Sequence, residues 1–303
     1  MLEPLFGVSI NPLAKNFEDA FRIAQIADES GLDLVGMQDH PYNGSFMDTW
    51  TLLSALGAHT HRVHLMVNVA NLPLRHPAML AKAAATLDII TRGRIELGVG
   101  AGYFWDGVES FGGPRRKPKE AVEALEESIK IIKIFFNAES DSSTLNFTGK
   151  HYTLKNAQAG PKPYHPIRIW VGGYGRRMLK IAGELADGIT VSLPFLPPEK
   201  LPEAVNMVRE SALKSGRNPQ TIRVNYNFGG IILEDDAKSQ STPKIDNVIV
   251  ASVNEWVNTL RRLRALGVDS FSFGPAGADK IGQIKLYAEQ VVPKVREILD
   301  HQS

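Results

Sequence analysis

Short apolar runs recur along the chain, and most are followed by a stretch with helical periodicity. Strand-like runs are Leu5 to Ile10, Asp33 to Gln38, Arg62 to Val69, Ile95 to Gly100, Ile167 to Val171, Gly188 to Val191, Arg223 to Phe228 and Ser270 to Phe273. Helical patterns cover Phe17 to Ala27, Ala78 to Ile90, Pro118 to Phe136, Arg177 to Leu185, Pro202 to Lys214, Val253 to Leu266 and Ile281 to Leu299. Each puts aliphatic residues on one face and Lys, Arg or Glu on the other, as helices packed outside a parallel sheet do. Eight such units predict an α/β chain folded as a single (β/α)8 barrel over residues 1–303. A doubly wound domain with a second domain is the alternative that length permits.

Two connections exceed what a minimal barrel needs. Residues 137–166 read as an excursion with a small hairpin and a proline-braced approach to the fifth strand. Residues 229–250, with the polar run Glu234 to Thr242, read either as a mobile lid over the strand-carboxyl face or as a plain exposed loop.

Composition narrows the function classes. The 303 residues carry 34 basic and 33 acidic side chains, a formal net charge of +1, so no broad basic surface points to nucleic acid or an anionic membrane. Arg115-Arg116-Lys117, between Pro114 and Pro118, reads as a solvated turn. The absence of cysteine excludes disulfides, thiolate nucleophiles and cysteine-ligated metals. The first residues form a strand-like run with no basic, then apolar, leader, and no stretch has the length and apolarity of a membrane span. A soluble cytoplasmic protein is expected.

Candidate chemistry gathers at the strand ends, where barrel enzymes build their sites. Asp39 and His40 follow the second strand. They serve either as a proton-transferring imidazole with its orienter, or as caps of the turn before Pro41. Asn68 offers an amide to a heterocycle or satisfies its own backbone. The fourth strand runs into Gly98, Gly100 and Gly102, leaving bare backbone for a flat cofactor or simply making a tight connection. Phe104 and Trp105 beyond it shape a substrate mouth or pack in the core. The turn Gly172-Gly173-Tyr174-Gly175 feeds Arg176-Arg177 at a helix start, a combination suited to a phosphate monoester. It matches neither a nucleotide P-loop nor a dinucleotide fingerprint. His59, His61, His64 and His76 are dispersed without metal-ligand spacing and read as ordinary polar residues, with no metal expected.

Asp39-His40, Asn68 to Pro77, Gly93 to Gly102, Val171 to Arg177 and Ala186-Asp187-Gly188 together resemble the bacterial-luciferase-like flavin monooxygenases and their relatives that use the deazaflavin F420. The resemblance implies FMN, or alternatively F420, across the strand-carboxyl end. Its ring would lie near Asp39, His40, Asn68, Val69, Gly100, Ala101, Gly102 and Tyr103. Its phosphate would lie near Gly172, Gly173, Tyr174, Gly175, Arg176 and Arg177. It also implies a cis peptide bond at Asn68-Val69 or Val69-Ala70. The implied reaction is monooxygenation of a small organic substrate by externally reduced FMN and dioxygen, with His40 managing proton transfer. F420-linked hydride transfer and non-catalytic flavin binding are the alternatives. A separate flavin reductase and a homodimer or higher homo-oligomer are implied partners. The chain departs from the luciferase pattern, which has arginine at the position of Ala101. It also departs from the sugar-phosphate dehydrogenase branch, which has an acid at Tyr103 and tryptophan at Gly44.

Overall fold

The computed structural model describes residues 2–234 and 246–301. Its strands are β1 (Leu5–Ile10), β2 (Leu34–Met37), β3 (His64–Asn71), β4 (Ile95–Gly100), β5 (Thr144–Thr148), β6 (Thr153–Gln158), β7 (Ile169–Gly172), β8 (Gly188–Ser192), β9 (Arg223–Leu233), β10 (Val248–Ser252) and β11 (Ser270–Pro275). The order β1-β2-β3-β4-β7-β8-β9-β11 closes back on β1 through parallel pairings, so eight strands form a barrel. β5 and β6 pair only with each other, antiparallel, within residues 137–166.

The helices are α1 (Phe17–Glu29), α2 (Thr49–His59), α3 (Pro77–Thr91), α4 (Trp105–Ser110), α5 (Pro118–Phe136), α6 (Arg176–Leu185), α7 (Leu201–Lys214), α8 (Val253–Ala265), α9 (Lys280–Leu286) and α10 (Val292–Asp300). Their starts carry recognisable signals. Asp48 accepts from the Thr51 amide at 2.9 Å before α2, and Ser252 with Glu255 forms a capping box before α8. The patterned run Ile281 to Leu299 is divided by a wide turn at Tyr287–Val291. Pro293, which lacks an amide hydrogen, enters the next helix at its first turn. Among the described residues no helix is long and apolar enough to cross a membrane.

Two expectations need correcting, and one helix was not foreseen. β3 begins at His64 rather than Arg62, because the amides of His61, Arg62 and Val63 donate to the Asp28 carboxylate at 2.9, 2.6 and 2.7 Å instead of joining the sheet. The supposed loop 229–250 is partly strand: Gly229 to Leu233 continues β9 and pairs in parallel with β10. Its backbone groups find ladder partners there, and alternate residues, Gly230 and Ile232, are buried. The centre of that segment, 235–245, lies outside the described residues. Finally, α2 escapes the periodic pattern because Trp50, Leu52, Leu53, Leu56 and Gly57 are all buried and blur its polar face.

A continuous core joins the barrel to its helices. Phe273 stacks on Tyr287 at 4.7 Å and meets Trp256 edge-on at 5.6 Å, tying β11 to the C-terminal helices. A buried polar belt also crosses the barrel interior. Asn225 Oδ1 accepts from Ser270 and Ser272 at 2.8 and 2.9 Å, and its amide donates to Thr190 Oγ1 at 2.9 Å.

Candidate active site

The end of β2 sets the first wall. Asp39, 1% exposed, accepts from the Asn71 amide at 3.0 Å and from Arg75 Nε and Nη2 at 2.6 and 2.7 Å. Arg75 also donates to Asp48 at 2.6 Å. Asp39 therefore spends both oxygens bracing the β3 to α3 turn, and acts on its neighbour through its charge. His40 is half-buried, and its Nδ1 stands 2.7 Å from Tyr42 Oη. Burial holds the imidazole below its ordinary pKa, against the opposing pull of the Asp39 charge. The ring is thus neutral at pH 7 and able to take a proton. Burial, and then the Asp39 charge, push the Tyr42 phenol up, so it stays protonated. Tyr42 packs against Phe104 at 5.4 Å. Its place beside His40 was not legible in the sequence, which showed only an aromatic two residues on.

The second wall is built around Val69. A register shift between Val67 and Ala70 makes β3 bulge against β4, and the Asn68-Val69 peptide within it is cis. A Cβ added at Gly100 would lie 2.7 Å from Val69 Cγ2, and one at Gly172 would lie 2.8 and 2.9 Å from the two Val69 methyls. At Gly98 the added atom would meet Val69 Cγ1 at 2.9 Å and Val67 O at 2.3 Å. The glycines of β4 and β7 are therefore not bare backbone. They form the socket of a half-buried valine, which itself presents the remaining surface. Gly102, at φ +97°, is closed in by Pro73 and Trp105.

Asn68 is held from two sides. Its amide donates to Asn227 Oδ1 at 2.7 Å, and its oxygen accepts from Thr190 at 2.9 Å. Asn68 is thus the terminus of the buried polar belt.

The third wall is the β7 to α6 turn. Gly172 and Gly173 are half-buried, while Tyr174, Gly175, Arg176 and Arg177 are exposed. The start of α6 has no side-chain cap, and nothing lies within 4 Å of a Cβ built on Gly175. Neither arginine makes an ion pair or side-chain hydrogen bond among the described residues. Free first-turn amides and two uncommitted guanidinium groups share one corner.

An aromatic rim completes the mouth. Tyr174 stacks on Phe195 at 5.6 Å with an interplanar angle of 3°, and Tyr103 meets Phe195 at 6.2 Å. Tyr103, Phe104, Tyr174 and Phe195 are 78, 50, 47 and 51% exposed, a concentration of open aromatic surface that invites an apolar or planar ligand. Ala101 and Trp105 are half-buried beside it. Phe195, from the loop after β8, carried no signal in the sequence. His151, in the excursion, stands 3.5 Å from Glu123. A separate cavity of about 850 Å³ opens between β10 and α8, lined by residues including Ile249, Asn258 and Arg262, and brings no histidine with it.

Over residues 5–264 the chain matches the family described as luciferase-like monooxygenase. It belongs to that family. As a luciferase-like protein it is an enzyme of the oxidoreductase class. It is similar to the F420-dependent glucose-6-phosphate dehydrogenase of Nakamurella multipartita, with 25% identity over 317 residues, 91% of this chain and 92% of that one. It is also similar to the phthiodiolone/phenolphthiodiolone dimycocerosates ketoreductase of Mycobacterium sp. strain JLS, with 34% identity over 186 residues. That match takes in 60% of this chain but only 47% of the ketoreductase, about half its length. Among solved structures, an F420-dependent secondary alcohol dehydrogenase in complex with an F420-acetone adduct aligns with a TM-score of 0.85 at 20% identity, over 97% of this chain and all of that one. This last likeness shows the barrel fold.

Proposed function

We propose that the strand-carboxyl mouth binds a flavin or deazaflavin and that the enzyme carries out redox chemistry there on a small organic substrate, with His40 exchanging the accompanying proton. The observation that carries this reading is the neutral, half-buried imidazole at the end of β2. Its Nδ1 is held by Tyr42, and its Nε2 makes no hydrogen bond among the described residues. The open Gly175, the uncapped start of α6 and the uncommitted Arg176 and Arg177 suit a single phosphate group. When bound, the cofactor supplies the electrons. Val69 and its glycine socket set the depth at which a ring can lie, and Tyr103, Phe104, Tyr174 and Phe195 shelter the mouth from water.

The first reading is a monooxygenase that takes reduced FMN from a separate reductase and uses dioxygen, supported by the family to which the chain belongs. The second is F420-linked hydride transfer, supported by the F420-dependent relative matched along 91% of the chain. Self-association of barrels accompanies either reading, supported by Met79 and Ile90, which are 64 and 60% exposed on α3.

Calorimetric titration with FMN, F420 and NADPH, under anaerobic conditions for reduced forms, tests the proposal. FMN or F420 should bind, and Arg176→Ala or Arg177→Ala should weaken that binding by about 1.5–3 kcal/mol while leaving the unfolding midpoint unchanged. Binding of NADPH alone, or equal affinity in both variants, would overturn the site assignment. Dioxygen uptake by the loaded enzyme then separates the two readings.

A further inference from the structure

We propose that His64, Glu96 and His165 form a binding site for a divalent transition cation of the Zn²⁺ class at the N-terminal end of the barrel, opposite the mouth. The three residues come from separate segments: the first position of β3, the second of β4, and the approach to β7. One potential ligand atom from each lies within 4.8 Å of the other two.

The donor chemistry fits. His165 Nδ1 stands 2.7 Å from Asp88 Oδ1, and the His165 backbone amide donates to Asp88 Oδ2 at 2.9 Å. Asp88 is fully buried, so its carboxylate fixes the ring with Nδ1 protonated and leaves a lone pair on Nε2. That Nε2 is buried and has no hydrogen-bond partner, and the same is true of His64 Nδ1. Buried polar atoms left unpaired are costly, and a shared cation satisfies both at once. A carboxylate behind a histidine is also the arrangement that orients imidazole ligands on metals.

The spacing fits as well. Ligand atoms about 2.0–2.1 Å from a tetrahedral Zn²⁺ lie roughly 3.3 Å from each other. His64 Nδ1 is already 3.5 Å from Glu96 Oε1, so His165 is the group that closes in. Glu96, 1% exposed, also accepts from Arg168 and from Trp170 Nε1, the latter at 2.9 Å. Arg168 Nε reaches both oxygens, at 2.9 Å to Oε1 and 3.1 Å to Oε2, and its Nη2 also donates to Oε1, so the cation would share Oε1 with the guanidinium. Two nitrogens and one oxygen select a Zn²⁺-like ion over Ca²⁺ or Mg²⁺. An adjoining cavity of about 250 Å³, lined by residues including His64 and Glu96, admits the ion and a water as fourth ligand.

The test uses the untagged full chain after chelator treatment, titrated calorimetrically with Zn²⁺ and spectroscopically with Co²⁺. One equivalent should bind, with Co²⁺ giving the visible bands of a low-symmetry nitrogen and oxygen site. His64→Ala and His165→Ala should each weaken binding by at least roughly tenfold, and His151→Ala should not. If His165→Ala does not fold, His165→Asn keeps a polar group beside Asp88 and should show the same loss. No stoichiometric binding, or unchanged affinity in folded variants of both histidines, would overturn the site. Binding of FMN or F420 is a separate readout and should be indifferent to these changes.

Discussion

The Val69 socket makes a prediction that can be worked through atom by atom. In Gly100→Ala the new methyl would sit 2.7 Å from Val69 Cγ2, and its next neighbour, Ala70 O, is at an ordinary 3.8 Å. The whole cost is thus one methyl-on-methyl clash in a well-packed place, worth about 1–3 kcal/mol. Val69→Ala alone removes two half-buried methyls, roughly 1–1.5 kcal/mol at about 0.8 kcal/mol per buried carbon. In the double variant the clash partner is gone, so the pair should be more stable than the sum of the singles by at least about 1 kcal/mol, outside the roughly 0.5 kcal/mol scatter of independent sites. Gly98→Ala is the internal control: its methyl would lie 2.3 Å from the backbone oxygen of Val67, which Val69→Ala cannot move. Urea unfolding of the variants, with unchanged slopes as the check on a common mechanism, gives the coupling. Additivity of Gly100→Ala with Val69→Ala, or equal rescue of Gly98→Ala, would refute the reading of these glycines as a socket.

Two further outcomes are expected. His40→Ala should lower turnover by at least roughly tenfold while leaving cofactor affinity largely intact. Because burial depresses its pKa, the acid limb of kcat/KM should fall below the ordinary imidazole range, and a limb at or above that range would remove His40 as the group responsible. Asp269 tests the other end of the barrel: burial pushes its carboxyl from 3.8 up to about 6, against the opposing effects of Arg223, the Val224 amide and Arg264. Between those pH values the folded chain holds more protons than the unfolded one, so this group's contribution to stability falls as pH rises from about 4 to about 6. Asp269→Asn should therefore gain on the wild type by up to about 3 kcal/mol between pH 4 and pH 7. A difference in unfolding free energy that does not change with pH would refute it.

The barrel was legible because its strands and most of its helices differ in hydrophobic period, and period survives without any knowledge of contacts. What escaped was whatever depends on contacts between distant segments. Val69 looked like one more strand residue, and only the closed barrel shows that Gly98, Gly100 and Gly172 are small to receive it. Asp39 was legible as a polar residue at a strand end, but Arg75, which claims its oxygens, lies 36 residues away. Phe195 had no sequence partner, because its stacking on Tyr174 joins the loop after β8 to the turn after β7. His64 was set aside for want of ligand spacing, yet it meets His165, 101 residues further on, across neighbouring segments.

The polar belt fixes the shape of the mouth through bonds among its own side chains. Thr190 Oγ1 donates to Asn68 and accepts from Asn225 and Asn227, each at 2.9 Å. Asn227 also donates to Val191 O at 3.0 Å. Each of these side chains is satisfied by others rooted in different strands, so moving one would leave several buried donors or acceptors unpaired. Asn68 is the end of that chain of bonds and is followed directly by Val69. The position of the valine at the mouth is consequently fixed from below by β8 and β9 and from the side by the glycines of β4 and β7. A surface held from both directions can stay apolar and still be rigid, which a planar cofactor would require if His40, three residues past β2, is to meet the reacting atom at a constant distance.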